Sequence, residues 1–269
     1  MRKLGLGFRK QLGEWLSNRP QYVGNLEITA EHFFSGGESM LQTLSKEYDL
    51  FVHGLGLSLG TPGSLCEQTL ESFARVAEIA DAKCVSEHVA FSRTAEVDLG
   101  HLNPLPRTEE SLAVMIEHTL EVSQRCNRPM VLENITASLD VGGTMNETDF
   151  LNRLCEGANC GLLLDVTNLF INSKNHGYDP GEWLRRIDSS RITQLHVVGY
   201  SEHDGVFHDH HSNRIQDDLM ELIEDVLEYA DVQAVTLERD ERLEAIDEIE
   251  TELQRLNEVI ERHCPESAA

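Results

Sequence analysis

Short apolar runs alternate along this chain with longer stretches of helical period. Eight of the runs read as strands: LGLGF (4–8), LEIT (26–29), LFVHG (50–54), CVSEH (84–88), MVLEN (130–134), LLLDV (162–166), TQLHVV (193–198) and AVTLE (234–238). They show little polar alternation, as strands covered on both faces do. Between them, the segment after Thr108 places Leu112, Met115, Ile116 and Leu120 on one helical face. The segment after Asp240 does the same with Ile246, Ile249, Leu253, Leu256 and Ile260, with acids on the opposite face. Asp179 reads as the N-cap of a helix with Pro180 in its first turn and Trp183 and Leu184 inside it. Gln216 to Tyr229 reads as a further helix.

Eight strands alternating with helices predict an α/β protein built on a parallel sheet. At 269 residues the economical closure is a single (β/α)8 TIM barrel, one domain spanning 1–269. A doubly wound open sheet is the alternative. It needs a glycine-rich phosphate turn, and GLGLSLGTPG (54–63) has neither the GxGxxG spacing nor the acidic partner that follows it. No repeat, low-complexity stretch or linker divides the chain. Residues 93–107, 136–147, 169–179 and 199–215 read as long loops, which in a barrel line the active-site face.

The apolar runs share an oddity: they end on ionisable groups. His53, His88, Glu133, Asp165, His196 and Glu238 close or nearly close six of them. A lone histidine at a strand end is more often a hydrogen-bonded structural residue. Six such groups from six strands, at the rim where barrels keep their catalytic groups, point elsewhere. Gathering three carboxylates in a buried place without cations is costly, and metal ions remove that cost. Imidazole and carboxylate together suit zinc, iron or manganese, and a set without cysteine is unlike a structural zinc site. The set exceeds the needs of one ion, so Glu133, central in sequence order, reads as a carboxylate bridging two.

A further cluster, EHDGVFHDHH (202–211), is on the plain reading a solvated polar loop. Its Asp209-x-His211 pair can nevertheless reach one ion with two side chains, and Asn168 or His176 would complete a third site. ENIT (133–136) matches a glycosylation acceptor, but Asn134 at a strand end reads better as a metal or substrate contact. The candidate catalytic residues are therefore Glu133, Asp165, His196 and Asn134. The candidate metal ligands are His53, His88, Glu133, Asp165, Asn168, His176, His196, Asp209, His211 and Glu238.

Composition adds limits. The chain is 40% hydrophobic, enough for a full core at this length. Met1-Arg2-Lys3 leads into a short apolar run and then Arg9 and Lys10, which is no signal peptide, and no apolar stretch approaches the ~18 residues of a membrane span. A soluble, cytoplasmic protein is expected, without a membrane partner. Six cysteines with no CxxC pair read as reduced, mostly buried thiols; Cys155 and Cys160 are near in sequence, but Cys160 precedes a strand and reads as structural. The net charge is −25, from 47 acidic and 22 basic residues, which disfavours nucleic acid as a partner. Lysine occurs only at Lys3, Lys10, Lys46, Lys83 and Lys174. Such an acidic, lysine-poor surface suits a protein that stays hydrated in high salt.

The order His53, His88, Glu133, Asp165, His196, Asp209-x-His211, Glu238 resembles the metal pattern of the xylose-isomerase-like barrels, which include trinuclear apurinic endonucleases. The flanking words HGLGLSLG, SEHVAFS, LPRTEESL, VLEN, CGLLLDVTNLFINSKNHGYDP and QLHVVGYSEHDG resemble, within that superfamily, the multinuclear non-heme iron-dependent oxidative enzymes. Members of that family help mature ribosomally made peptides such as methanobactin and 3-thiaglutamate. The resemblance covers about residues 4 to 240. It implies two or three irons, Fe2+ and Fe3+, and dioxygen as co-substrate. It implies a cysteine-containing precursor peptide whose sulfur binds an iron, and a partner protein that recognises the leader peptide. His53, His88 and Glu133 would hold one iron. Glu133, Asp165, His196 and Glu238 would hold the second. Asp209 and His211, with His176 or Asn168, would hold a labile third.

The chain departs from the family in two places. Thr29 in EITAEHF stands where the family tends to have histidine, although Glu27 and Glu31 remain, and His210 replaces a threonine in the late loop. Both changes fall on substrate contacts rather than core ligands. Other readings of the same barrel are a metal-dependent hydrolase or endonuclease, a sugar isomerase, and a non-enzymatic metal-binding protein. The acidic surface disfavours a nuclease. No strand-end lysine stands ready for a sugar carbonyl, and intact ligands for two ions disfavour a purely binding role.

Overall fold

The computed structural model describes residues 4–94 and 97–263, so Met1-Arg2-Lys3 and Cys264 lie outside it. All eight apolar runs form strands: β1 (Leu4–Gly7), β2 (Asn25–Thr29), β3 (Asp49–His53), β4 (Val85–His88), β7 (Met130–Glu133), β8 (Gly161–Asp165), β9 (Ile192–Val197) and β12 (Ala234–Leu237). They pair in parallel in the order β1-β12-β9-β8-β7-β4-β3-β2, and β2 closes on β1. The result is the expected (β/α)8 barrel. Two small hairpins stand on the C-terminal rim: β5 (Phe91–Arg93) with β6 (Asp98–Asn103), and β10 (Gly199–His203) with β11 (Val206–Asn213). They occupy most of two of the expected loops.

The outer layer holds α1 (Gly13–Ser17), α2 (Glu38–Leu44), α3 (Glu67–Ile79), α4 (Glu109–Cys126), α5 (Glu147–Ala158), α6 (Val166–His176), α7 (Pro180–Leu184), α8 (Asp217–Tyr229) and α9 (Ile246–His263). Thr108 caps α4 by accepting from the Ser111 amide, and Asp179 caps α7 with Pro180 at its start. On α4 the buried residues are Leu112, Met115, His118, Thr119, Val122 and Cys126, whereas Leu120 is 46% exposed. The expected face was thus one step out of phase at its C-terminal end, because the polar Thr119 holds the inward position.

The expected loop 169–179 is corrected to helix: α6 starts directly after β8. Its polar residues disguised it. Asn168, Asn172 and Ser173 are buried, and the Asn172 amide is consumed by the loop beside it, accepting from Ala137 N at 3.0 Å and donating to Ile135 O at 2.9 Å. On α9, Glu252 interrupts the apolar stripe to pair with the fully buried Arg239 at 2.7 Å and to accept from Ile215 N at 2.8 Å. Cys126, Cys155 and Cys160 are buried and free, as expected, but Cys66 is exposed. No helix among the described residues is long and apolar enough to cross a membrane.

Candidate metal centre

Parallel pairing brings the strand ends to one level. His88 lies opposite Glu133 across β4 and β7, and Asp165 lies opposite His196 across β8 and β9. Two ligand groups result. His53, His88 and Glu133 form one, and Glu133, Asp165, His196 and Glu238 form the other; within each group, donor atoms lie within 4.8 Å of one another. Glu133 belongs to both. Its Oε2 is 3.5 Å from both His53 Nε2 and His88 Nε2, and its Oε1 is 3.3 Å from His196 Nδ1. Glu238 Oε2 is 3.2 Å from the same His196 nitrogen.

Each imidazole is held from behind. Ser86 Oγ sits 2.8 Å from His53 Nδ1, and Glu87 Oε1 sits 3.0 Å from His88 Nδ1. Glu27 Oε1 approaches His196 Nε2 to 2.8 Å, though off the line of a good hydrogen bond. Glu27 is itself anchored by Gln194 Nε2 at 2.8 Å. Such outer partners fix ring orientation and leave the other nitrogen facing a metal. The loop after β3 is held by two carboxylates: Glu31 Oε1 accepts from Leu55 N and Gly56 N, and Glu87 Oε2 accepts from Leu57 N, each at 2.9 Å.

The electrostatics are those of a cation site. Burial opposes charge on His196, yet Glu27, Glu133 and Glu238 drive its pKa well above the ordinary imidazole value. Burial opposes His88 in the same way, and Glu133 and Glu87 lift it to about 9. Burial, Glu133 and Asp209 raise Asp165 well above the carboxylate range. Burial works against ionisation of Glu238, but His196 and His211 pull it well below that range. Glu133 Oε2, His196 Nδ1 and Asn168 Oδ1 are buried without a hydrogen-bond partner. Donors that each lie about 2.1 Å from one ion sit about 3.0–3.4 Å from each other, close to the spacings here. The residues fit a pair of metal ions.

Asp165 answers why an apolar strand ends on a charge. Its side chain caps α6, with Oδ1 accepting from Asn168 N at 2.7 Å, while the residue also belongs to the second ligand group. Asn134, expected as a metal or substrate contact, holds the neighbouring backbone and also lines the adjoining cavity. Its amide is spent on the Asp165 backbone, accepting from Asp165 N at 2.9 Å and donating to Asp165 O at 3.0 Å.

The third cluster divides. His211 Nε2 lies 2.7 Å from Asp209 Oδ2 and 3.8 Å from Glu238 Oε2, so this pair borders the second group. Burial works against the charged form of His211, but Glu238, Asp209 and Asp240 lift its pKa to about 12. Asp240 joins His211 Nδ1 at 2.9 Å and also accepts from Arg9 Nε at 2.6 Å. The structure puts Asn168 at the base of α6 with a free Oδ1, but it does not bring His176 to this cluster. His176 ends α6, about 16 Å along the axis from Asp165 at ~1.5 Å per residue, and its Nε2 is engaged by Ala137 O at 2.6 Å. His203, His208 and His210 are exposed.

Sequence reasoning missed Glu27, Ser86, Glu87 and Asp240 as supporting groups. A signal existed for two of them: LEIT and SEH carry acids inside otherwise apolar strands.

Residues 3–261 match the family described as RiPP precursor modification enzyme MbnB/TglH/ChrH. A UPF0276 protein of Shewanella sediminis is 30% identical over 264 residues, covering 95% of this chain and 94% of its own. Among solved structures, a xylose isomerase domain protein from Planctomyces limnophilus superposes with a TM-score of 0.61 at 11% identity, covering 96% of each chain. The IolI protein, whose structure contains a zinc atom, gives 0.63 at 15% identity over 98% of this chain and 99% of its own. At such identities the structural likeness shows the fold, a xylose-isomerase-like TIM barrel.

Proposed function

From the premise that this chain belongs to the MbnB/TglH/ChrH family of RiPP precursor modification enzymes, we propose that it is a multinuclear non-heme iron enzyme. In this reading it uses dioxygen to modify a cysteine of a ribosomally made precursor peptide in the cytoplasm. The observation that carries the reading is Glu133, shared by two buried ligand groups made only of imidazole and carboxylate. Iron bound there would supply the electrons and the open coordination positions that cysteine sulfur and dioxygen require.

This chain's residues do the remainder. His53, His88 and Glu133 hold one ion, and Glu133, Asp165, His196 and Glu238 hold the other. Glu27, Ser86 and Glu87 keep the rings aimed. Asp209 and His211, with Asn168 Oδ1, are the donors for a third, weaker site. When that third site holds no ion, His211, at the rim beside Glu238 with two carboxylates around it, is placed to hold a proton near the incoming thiol. Leu55, Leu139 and Val206 expose apolar side chains on the rim loops, where a leader-recognising partner protein would present the peptide.

The test is the metal content of protein made and purified without oxygen, by elemental analysis with Mössbauer spectroscopy. Two to three irons per chain, partly ferric and magnetically coupled, are expected. Zinc or manganese at the same stoichiometry, with no preference for iron, would overturn the oxidative reading and favour a hydrolase or isomerase.

A further inference from the structure

A second concavity opens beside the metal centre. It is a cavity of about 330 Å³ between the rim loops, α5 and α6, within the size range of ligand pockets. Asn134, whose amide holds the Asp165 backbone, is part of its wall. Val89 and Ile135 line it too, each within two residues of a metal-ligand candidate, His88 and Glu133. The cavity and the ligand cluster therefore share the ends of β4 and β7.

We propose that this cavity receives a neutral aromatic side chain with a polar tip, of the tyrosine or tryptophan type, carried by the precursor peptide near its reacting cysteine. The proposal rests on the peptide reading above and adds the class of side chain selected. Much of the lining is apolar and aromatic: Phe150, Trp183, Leu105 and Ile135. Such a lining favours a ring over a polar chain. The same lining holds two hydrogen-bonding groups. The Tyr178 hydroxyl is buried with no partner. The Glu147 carboxylate accepts from Trp183 Nε1 at 2.7 Å through one oxygen, which leaves the other for a guest.

A purely aliphatic guest would leave the Tyr178 hydroxyl dry and unpaired. A cation would meet Arg107 and His176 on the same lining, and an anion would meet Glu147 and Asp140. A phenol or indole satisfies the remaining conditions. Its O–H or N–H donates to Glu147, and a phenol oxygen can accept from Tyr178.

The probes are the side-chain analogues p-cresol, toluene and n-butylammonium, and two tripeptides, N-acetyl-Cys-Gly-Tyr-amide and N-acetyl-Cys-Gly-Leu-amide. Binding to the full chain is followed by calorimetry and ligand-observed NMR. We expect p-cresol to bind about tenfold more tightly than toluene, the net worth of about one hydrogen bond, and n-butylammonium not to bind. The tyrosine tripeptide should displace p-cresol about tenfold better than the leucine one on the same ground. Ala137→Trp, at the cavity edge, should abolish cresol binding. Tyr178→Phe removes one of the guest's two hydrogen bonds and should lower the cresol-over-toluene preference about threefold while toluene still binds, so a misfolded Ala137 variant does not leave the idea untested. Equal binding of cresol and toluene, no binding of either, preference for the cation, or equal displacement by both peptides would overturn it. Because p-cresol binding needs no metal, a zinc result in the metal analysis would sink the oxidative reading and leave this measurement standing, and the reverse also holds.

Discussion

At the residue scale, one carboxylate ties the centre together. Glu133 is the only residue common to both ligand groups. Replacing it by Gln keeps the volume and removes the charge. We expect Glu133→Gln to lose both core ions together, read as metal per chain after gel filtration; full retention of both would end the bridging role. A different buried acid tests electrostatics away from the ligands. Burial is the largest influence on Glu147 and raises its pKa above the carboxylate value, against the Trp183 hydrogen bond and Arg107, which lower it. A raised carboxyl pKa means that the folded state holds the proton more tightly than the unfolded chain. Its contribution is favourable at low pH and is lost as pH rises through the unfolded value of about 4.5 and then the folded one. Glu147→Gln keeps an acceptor for Trp183 and has no proton to lose. It should therefore melt higher than the parent at pH 8, with the gain shrinking as pH falls toward about 4.5. A gain that is the same at both pH values, or a loss at pH 8, would show that burial does not raise the Glu147 pKa in the folded chain.

At the scale of elements, the junction of β8 and α6 does two jobs with one side chain. Asp165 caps the helix and belongs to the second candidate ligand group. The two roles separate by mutation. Asn is as good a cap as Asp and has no charge to bury beside Glu133 and Asp209, so Asp165→Asn should lose metal from the second group and melt no lower than the parent in the metal-free protein. Asp165→Ala should lose metal too and be about 1 kcal/mol less stable than the Asn variant in the metal-free protein, the usual worth of such a cap. Equal melting of the Asn and Ala variants would mean that the cap contributes nothing. The same junction shows where sequence was readable. LLLD announced both a buried strand and a rim carboxylate, because an apolar run tolerates a terminal charge only for a reason. The helix that follows was not legible. Asn168 and Asn172 bond to backbone carbonyls after β7, tens of residues away in sequence, while Ser173 bonds back to the Phe170 carbonyl within the helix. His176 was misplaced for the same cause: on a loop it could have folded back to the cluster, and on α6 it cannot.

At the scale of the whole molecule, the barrel was legible because eight apolar runs of strand length leave few alternatives, and strand ends in a barrel converge whatever lies between them. The supporting sphere was not, since Glu27 meets His196 only after β2 and β9 come to face each other across the barrel interior. Charge is the property that belongs to no single element. The surplus of acids is 47 less 22, the −25 given by composition. Many of the basic side chains are already committed to exposed pairs, such as Arg125 with Glu67, Arg153 with Glu109 and Arg255 with Asp217. Exposed pairs contribute little each, and the remaining acids repel across the surface. Salt shortens the range of that repulsion from ~30 Å at 0.01 M to ~3 Å at 1 M. The folded state, which holds the charges closer than the unfolded chain does, gains more from the screening. The melting temperature should therefore climb with sodium chloride, by about 5 °C or more between 0.05 and 1 M, which corresponds to ~2 kcal/mol for a chain of this size. Calorimetry of the metal-free protein checks this without interference from ion release. A flat or falling curve would mean that the acids are spaced widely enough not to matter, and the acidic surface would then need another explanation than life in salt.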